Sequence, residues 1–504
     1  MTLHEDPAAA EANQDHSLCS ASDNPLLRLA VRSVRQIRNI QSIAVLPLKS
    51  LNDDETSKAI SLGLANALIS RLGSLNRLIV RPFDAVDKYA KSGGDPVRLA
   101  SELKVDAVLE GTVQMVDQRI RVNLRLVDGR DGAQIWTASF VEAFDDVFKL
   151  QDRLAVYVAN SLVASISSKE GELLAKRDTG NAEAYLACMR GRAILDQKNF
   201  ELVDKAIEAF QESIAHDPTF ALPYVGLADA FLMKNNVLSQ PDTAYFRKAK
   251  LYAQKAIELD AASAEVYTVL GRIKRNDNWN WEGAEKDFVR AVQINPNHAE
   301  ALRYLAQMHS FLGRHDEALS EINRAIAINP ISPTITTAQF SILESHGDYA
   351  EGLKRAEEFY QSDKNSTWAK RAVATFRFNL GEYARVIEIS ESLTANDERQ
   401  KFAFLSLLAS SYLKTNQPNK AAEVLRQLEQ LAQSDTKALY SLAMNYAELG
   451  RIDDALWALE KCFELREERI VWINVEPRFA VLRNNSRLQA IATRIGLKQS
   501  PLSG

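Results

Sequence analysis

The sequence predicts a multidomain chain, a small α/β domain followed by an all-α superhelix of stacked helix hairpins. Two registers and one alternation carry that prediction. Gly313, Gly347, Gly381 and Gly450 are spaced by 34, 34 and 69 residues, and Asn416 divides the last interval. Five residues after each stands a second register, Ala318, Gly352, Val386, Ala421 and Ala455, continued upstream by Ala284, Ala249 and Ala206. A period near 34 is that of a tandem helix–turn–helix unit. Gly or Asn closes the first helix in the left-handed conformation, and a small residue in the second helix lets the pair pack closely. Upstream, Ile120, Val122, Leu124 and Leu126 alternate with Arg119, Arg121, Asn123 and Arg125, the pattern of a strand with one buried face.

The elements follow in chain order. Residues 1–24 are polar and somewhat acidic and read as a disordered tail. Residues 25–41 carry Arg28, Arg32, Arg35 and Arg38 opposite Leu27, Val31 and Val34, a basic amphipathic linker. It reads as a solvated connector, with a membrane-surface or nucleic-acid contact as the sharper alternative. The α/β domain spans 42–170. Ile43 to Leu46, closed by Pro47, is a buried strand, and Ile60, Leu64, Leu68 and Leu72 give a helix ending near Gly73. A short strand covers Leu78 to Val80. Asp95-Pro96 supplies an N-cap and a first-turn proline for the next helix. Strands at Ala107–Val113 and Arg119–Leu126 follow, and the Asp128-Gly129-Arg130-Asp131-Gly132 turn leads to a last strand near Ile135-Trp136. A helix from about Val147 closes the domain.

The helical array occupies 180–470 and holds about eight repeats. A second small position holds Ser213, Ala256, Ala291 and Ala325, then degrades to Phe359 and Leu393. The fifth and sixth repeats are therefore expected to be irregular. The gap of 43 from Ala206 to Ala249 places an insertion between the helices of the second repeat, within Asn235 to Thr243. The third repeat gains a residue around Trp279 and Trp281. Residues 471–504 form a C-terminal capping segment with a polar-faced helix over Arg483 to Ile495.

Composition excludes several classes. A formal net charge of −5 argues against general nucleic-acid binding. The three cysteines, Cys19, Cys188 and Cys462, form no CxxC and imply neither a disulfide framework nor a zinc site. No run of about 18 apolar residues predicts a transmembrane span, and no leader is evident, so the expected location is cytoplasmic. Catalytic motifs are absent. His309 and His315, six residues apart, read as solvated surface. Asp53, Asp54 and Glu55, like Asp145-Asp146, sit at helix starts, where negative charge suits the helix dipole. Gly93-Gly94 marks a loop. We expect no catalytic residue, cofactor or metal.

A protein or peptide partner is the expected ligand. First helices of such an array line a concave groove, and residues off their packing stripe point into it. By register these are Arg303 and Gln307 in the fourth repeat, Arg371 and Asn379 in the sixth, and Tyr440 and Met444 in the eighth.

Four motifs then fall in order: Ser42-Ile-Ala-Val-Leu-Pro47, Ala107-Val-Leu-Glu-Gly111, Arg119-Ile-Arg-Val with Gly132-Ala-Gln-Ile-Trp136, and Asp146-Val-Phe-Lys-Leu-Gln-Asp152. Together they resemble the TolB-N-terminal-like domain of bacterial regulators. Asn280-Trp-Glu-Gly-Ala284 and its surroundings resemble the tetratricopeptide (TPR) repeats that follow that domain, and Val475-Glu-Pro-Arg-Phe479 resembles the group's ending. In that group this is the regulatory half, which follows a winged-helix domain of the CadC/HilA type, a class III adenylate cyclase or a kinase. The residues before Ser42 are too few for any of these. The resemblance therefore implies a scaffold or regulatory module that binds proteins, with no catalytic residue to carry over. The alternative is the regulatory half of a transcription regulator or signalling enzyme whose effector domain is absent or encoded separately.

Overall fold

The structure, a computed structural model, describes residues 40–497 except 76, 90–93, 144–146, 164–166, 168–169, 172–173, 175–178, 197–198, 238–242, 278 and 394–399. The expected tail, almost all of the basic linker, Asp145-Asp146, Gly93 and the middle of the expected insertion lie outside them. From Gln41 onward the chain is one compact unit.

A small N-terminal sheet precedes a long run of helices. Strands β1 (Ser42–Val45), β3 (Ile79–Val80) and β4 (Ala107–Val116) are parallel, while β4, β5 (Arg119–Asp128) and β6 (Gln134–Ala143) form an antiparallel meander in the order β3-β1-β4-β5-β6. A two-residue strand, β2 (Lys49–Ser50), pairs with β4 and has no sequence signature. The alternation in β5 does what its period requires, since Ile120, Val122, Leu124 and Leu126 are all buried. Helix α1 (Glu55–Gly73) is capped by Asp54, whose side chain accepts from the Ser57 N–H at 2.7 Å. Its Leu64, Leu68 and Leu72 join Leu150, Leu154 and Val158 of α4 (Val147–Leu162) in the buried core. Between them lie α2 (Phe83–Val86) and α3 (Pro96–Leu103), the latter capped by Asp95. The β4–β5 turn puts Asp117 and Gln118 at φ 47° and 60°, a two-residue hairpin that sequence reading passed over because neither residue is glycine.

Eight helix pairs follow among the described residues. They are α5–α6 (Ala182–Asp196, Val203–His216), α7–α8 (Leu222–Val237, Thr243–Leu259), α9–α10 (Ala264–Asp277, Trp281–Ile294) and α11–α12 (Ala299–Phe311, His315–Ile328). The second four are α13–α14 (Pro333–His346, Tyr349–Ser362), α15–α16 (Thr367–Asn379, Tyr383–Leu393), α17–α18 (Lys401–Lys414, Pro418–Leu431) and α19–α20 (Thr436–Glu448, Ile452–Glu464). Both registers act as their chemistry demands. Gly313, Gly347, Gly381 and Gly450 have φ between 71° and 90°, and Asn416 has φ 58°. Ala206, Ala249, Ala284, Ala318, Val386, Ala421 and Ala455 are fully buried. The fifth and sixth repeats, expected to be irregular, are regular helices. Their bulk has moved instead of accumulating, for Gly352 leaves room on α14 that the Phe376 ring of α15 fills.

The α/β module is fastened to the array by polar groups. Asn297, in the loop before α11, donates to the carbonyls of Gly73 and Leu78, both at 2.9 Å, and accepts from the Val80 N–H at 3.2 Å. Arg81 is 3% exposed and donates to carbonyls at two helix C-termini. These are Leu103 and Lys104 of the α3 end, at 2.7 and 2.5 Å, and Ile328, at 2.7 Å, with Ala327, of the α12 end. Carbonyls left over at a helix C-terminus favour a cation. Tyr185 of α5 donates to the Gly63 carbonyl of α1 at 2.6 Å.

Candidate functional site

The chain's own C-terminal segment packs against first helices of the later repeats. After α20 the backbone turns at Arg466 (φ 53°) and runs as two tight 3-10 turns, Glu468–Trp472 and Pro477–Leu482, before α21 (Ser486–Arg494). Glu476 caps the second turn by accepting from the Arg478 N–H at 3.2 Å, with Pro477 at its first position. Ile470, Val471, Ile473, Val475, Phe479 and Leu482 of this strap are buried. The array also closes on its own middle. Trp281 of α10 donates to the Ile495 carbonyl at 2.7 Å, Trp279 stacks on Phe463 at 5.3 Å, and Phe311 meets Trp472 edge-on at 5.7 Å. One hydrophobic core thus joins the third and fourth repeats to the seventh, the eighth and the strap.

Two arginines of the strap read the inner wall. Arg469 bonds Glu467 at 2.8 Å and the Lys437 carbonyl, and its guanidinium lies 4.5 Å from the Tyr440 ring centroid. Arg478 reaches Ser406 Oγ at 3.0 Å, Ser410 Oγ at 2.7 Å and Glu448 Oε2 at 2.5 Å. Asn445 supports the same wall by donating to Ser410 Oγ at 2.7 Å and to the Ser406 carbonyl at 2.9 Å.

Of the six residues singled out from sequence, four come together. Arg371, Asn379, Tyr440 and Met444 line a cavity of about 170 Å³ between the inner helices and the strap, so they face the chain's own segment. Arg303 and Gln307 lie apart. Arg303 is 9% exposed, bonds Glu300 at 2.7 Å and Gln307 at 3.0 Å, and stacks on Tyr304 with 3.8 Å to the ring centroid. Register reasoning missed Glu344 on α13, and it missed Arg469, Glu476 and Arg478 because the segment that completes the wall has no helical period. Its one signal was the charged Glu476-Pro477-Arg478 run held between apolar Val475 and Phe479. His309, read as solvated surface, is instead 5% exposed. It stands between Glu285 at 3.1 Å and Glu321 at 2.8 Å, a polar station on α11 whose partners come from both neighbouring second helices.

The cavity's electrostatics are uneven. Burial, then the neighbouring Glu476, pushes the Glu344 carboxyl up to about 7, against the pull of its bond from Asn379. Burial also raises Glu476, opposed by Arg478. Burial and then Arg469 lower the Arg371 guanidinium to about 10. Among the described residues no three His, Cys, Asp or Glu side chains converge to hold a metal ion, and no helix is long and apolar enough to cross a membrane.

Comparison with known proteins agrees with this layout. Residues 39–157 match the family described as the HilA/YgeH-like transcriptional regulator, second domain. Residues 277–333 match the tetratricopeptide repeat family, and 391–462 match subunit 3 of the anaphase-promoting complex. A putative adenylate cyclase 3 of Rhizobium meliloti is 29% identical over 45% of this chain and 39% of its own. The transcriptional regulator HilA of Salmonella typhimurium is 21% identical over 63% of this chain and 56% of its own. The chain therefore spans roughly two fifths to just over half the length of these relatives. A tetratricopeptide repeat protein of Parabacteroides merdae aligns with 52% of this chain and 97% of its own, at 15% identity and a TM-score of 0.38. The chain joins a HilA-like regulator domain to an array of tetratricopeptide repeats.

Proposed function

We infer that this chain is a cytoplasmic, non-enzymatic interaction and regulatory scaffold whose α/β module is of the TolB-N-terminal-like kind. A single observation carries the reading: the HilA-like domain and the repeats are locked into one body by Arg81 and Asn297, so a partner meets a preformed surface. On this reading the partner, a protein segment in helical or extended form, docks on the inner face through Arg303, Gln307, Arg371, Asn379, Tyr440 and Met444. Docking at the last four requires the strap to give way. A photoreactive residue placed at Met444, compared with one at the outward-facing Trp457, tests this in the native host. A protein adduct at 444 and none at 457 supports inner-face docking. Adducts at 457 alone move the site to the outer face, and none at either removes the scaffold reading.

A second reading rests on the relatives that the chain only partly spans. It makes the chain the regulatory half of a transcription regulator or signalling enzyme, with the effector domain absent or encoded separately. Genomic DNA upstream of Met1 decides it, since an adjoining winged-helix or cyclase sequence favours this reading and its absence disfavours it.

A further inference from the structure

The cavity beside the strap holds an unusual inventory for a space lined by one chain. Arg371 donates to Gln400 at 3.1 Å and lies over the Trp368 ring, 4.7 Å from its centroid, yet it makes no ion pair among the described residues. Glu344 on α13 and Glu476 on the strap likewise make none. The first accepts from Asn379 at 3.2 Å and the second only caps its own turn. Tyr440 is 2% exposed, and its hydroxyl has no hydrogen-bond partner among the described residues. A buried hydroxyl without a partner is rare, because leaving it unsatisfied costs more than a bond gains. Two carboxylates and a guanidinium outside any close ion pair, with an orphaned hydroxyl, thus line one space. The remaining wall is mixed, with Phe378, Leu407, Met444, Trp472 and Val475 forming an apolar patch beside several serines and beside Arg469 and Arg478, which Glu467 and Glu448 already hold.

We propose that this cavity binds a small zwitterion, an α-amino acid with an apolar side chain. Its ammonium lies between Glu344 and Glu476 and bonds the Tyr440 hydroxyl. Its carboxylate takes an N–H edge of Arg371, and its side chain faces the apolar patch of Phe378, Leu407 and Met444. A cation between two carboxylates removes the repulsion that disfavours charging both, and a carboxylate on Arg371 supplies a charge-assisted pair. Size agrees, since about 170 Å³ is several waters' worth of space and well below the roughly 300–1,000 Å³ of sites for drug-sized ligands. Glu476 belongs to the strap while the other three groups belong to the array. The bound zwitterion therefore ties the strap down and makes it a ligand-dependent closure. This goes beyond the scaffold reading and does not rest on it.

The test is calorimetry and thermal melting of the full chain with leucine and methionine, beside isopentylamine, which lacks the carboxylate, and 4-methylvalerate, which lacks the ammonium. At least one amino acid should bind, with each single-ended analogue about tenfold weaker or worse. Glu344→Gln and Arg371→Gln should each lose about tenfold, and Tyr440→Phe several-fold. Arg385→Gln, on the exposed face of α16, should bind as the parent does. Ligand-free melting shows whether each variant is folded, and Arg371→Lys stands in if Arg371→Gln is not. No amino acid binding at about 10 mM, a single-ended analogue binding as tightly, or undiminished binding by Glu344→Gln and Arg371→Gln overturns the proposal. A failure here leaves the photocrosslinking result at Met444 untouched, so the two readings fall separately.

Discussion

Replacing Arg81 by methionine keeps most of the side chain's bulk and removes its charge and donors. In the parent, the guanidinium satisfies carbonyls of Leu103, Lys104, Ala327 and Ile328 at a seam where Arg81 is 3% exposed. Each hydrogen bond to a charged group is worth about 1.5–3 kcal/mol, so four give a gross loss near 6 kcal/mol at the low end. Methionine also removes the cost of burying a cation. Burial lowers the Arg81 guanidinium from its ordinary value to about 10, against the pull of Asp106, and that shift corresponds to about 3 kcal/mol. The net loss is therefore about 3 kcal/mol, located at the joint and not in either core. Hydrogen exchange read by mass spectrometry separates the two. In the parent, residues 42–162 and 264–346 should open together in urea. In Arg81→Met the α/β module should open at lower urea than the array. Arg81→Lys, which keeps the charge but reaches fewer carbonyls, should fall between. Coincident opening with less than about 0.5 kcal/mol of destabilisation would refute the claim that Arg81 holds the joint.

Three further outcomes follow from particular contacts. A Cβ at Gly352 would overlap the buried Phe376 ring, so Gly352→Ala should destabilise by about 1–3 kcal/mol in urea melts, and Phe376→Leu should relieve part of that in the double variant. Arg478→Met strands the buried Glu448 carboxylate and should cost about 3–5 kcal/mol, with faster exchange over 468–482. Adding Glu448→Leu should recover much of it. Glu344 faces Glu476, Arg371 and Arg478 and titrates near 7, above its ordinary 4.5, so the folded state holds its proton more tightly than the unfolded chain does. Its contribution is complete below pH 4.5 and is lost as the pH rises to 7, by at most about 3 kcal/mol, and Glu344→Gln should flatten that fall in a series of melts.

Local chemistry made much of the fold legible. A left-handed cap needs glycine or asparagine whatever surrounds it, so Gly313, Gly347, Gly381, Asn416 and Gly450 marked helix ends from their spacing alone. The alternation in β5 needs only a buried face and a solvated one. Long-range choices escaped. Regular helices in the fifth and sixth repeats depend on Phe376 filling the room left at Gly352, a pairing across 24 positions that no periodic count detects. The β4–β5 turn uses Asp117 and Gln118, which tolerate positive φ without advertising it. At the candidate site, register pointed to Arg303, Gln307, Arg371, Asn379, Tyr440 and Met444 alike, and only the last four line one cavity. It could not foresee that the opposite wall is residues 467–482, whose 3-10 turns follow no heptad or helical repeat.

That second wall changes what any partner of the inner face must do. The strap buries Ile470, Val471, Ile473, Val475, Phe479 and Leu482, and at about 1.5–3 kcal/mol for each such side chain the gross contribution reaches about 10 kcal/mol or more. A free peptide replacing it must match those contacts and also bear the entropy of association, which the tethered strap does not. Simple competition therefore favours the closed form unless something weakens the strap first. Its polar anchors are the point of leverage, because Arg469 and Arg478 meet the wall through a few contacts, to the Lys437 carbonyl, Ser406, Ser410 and Glu448, that a ligand or a neighbouring protein can alter. Closure at the third and fourth repeats, through Trp281 and Phe311, places that leverage on the same stretch of array where Arg81 and Asn297 hold the α/β module.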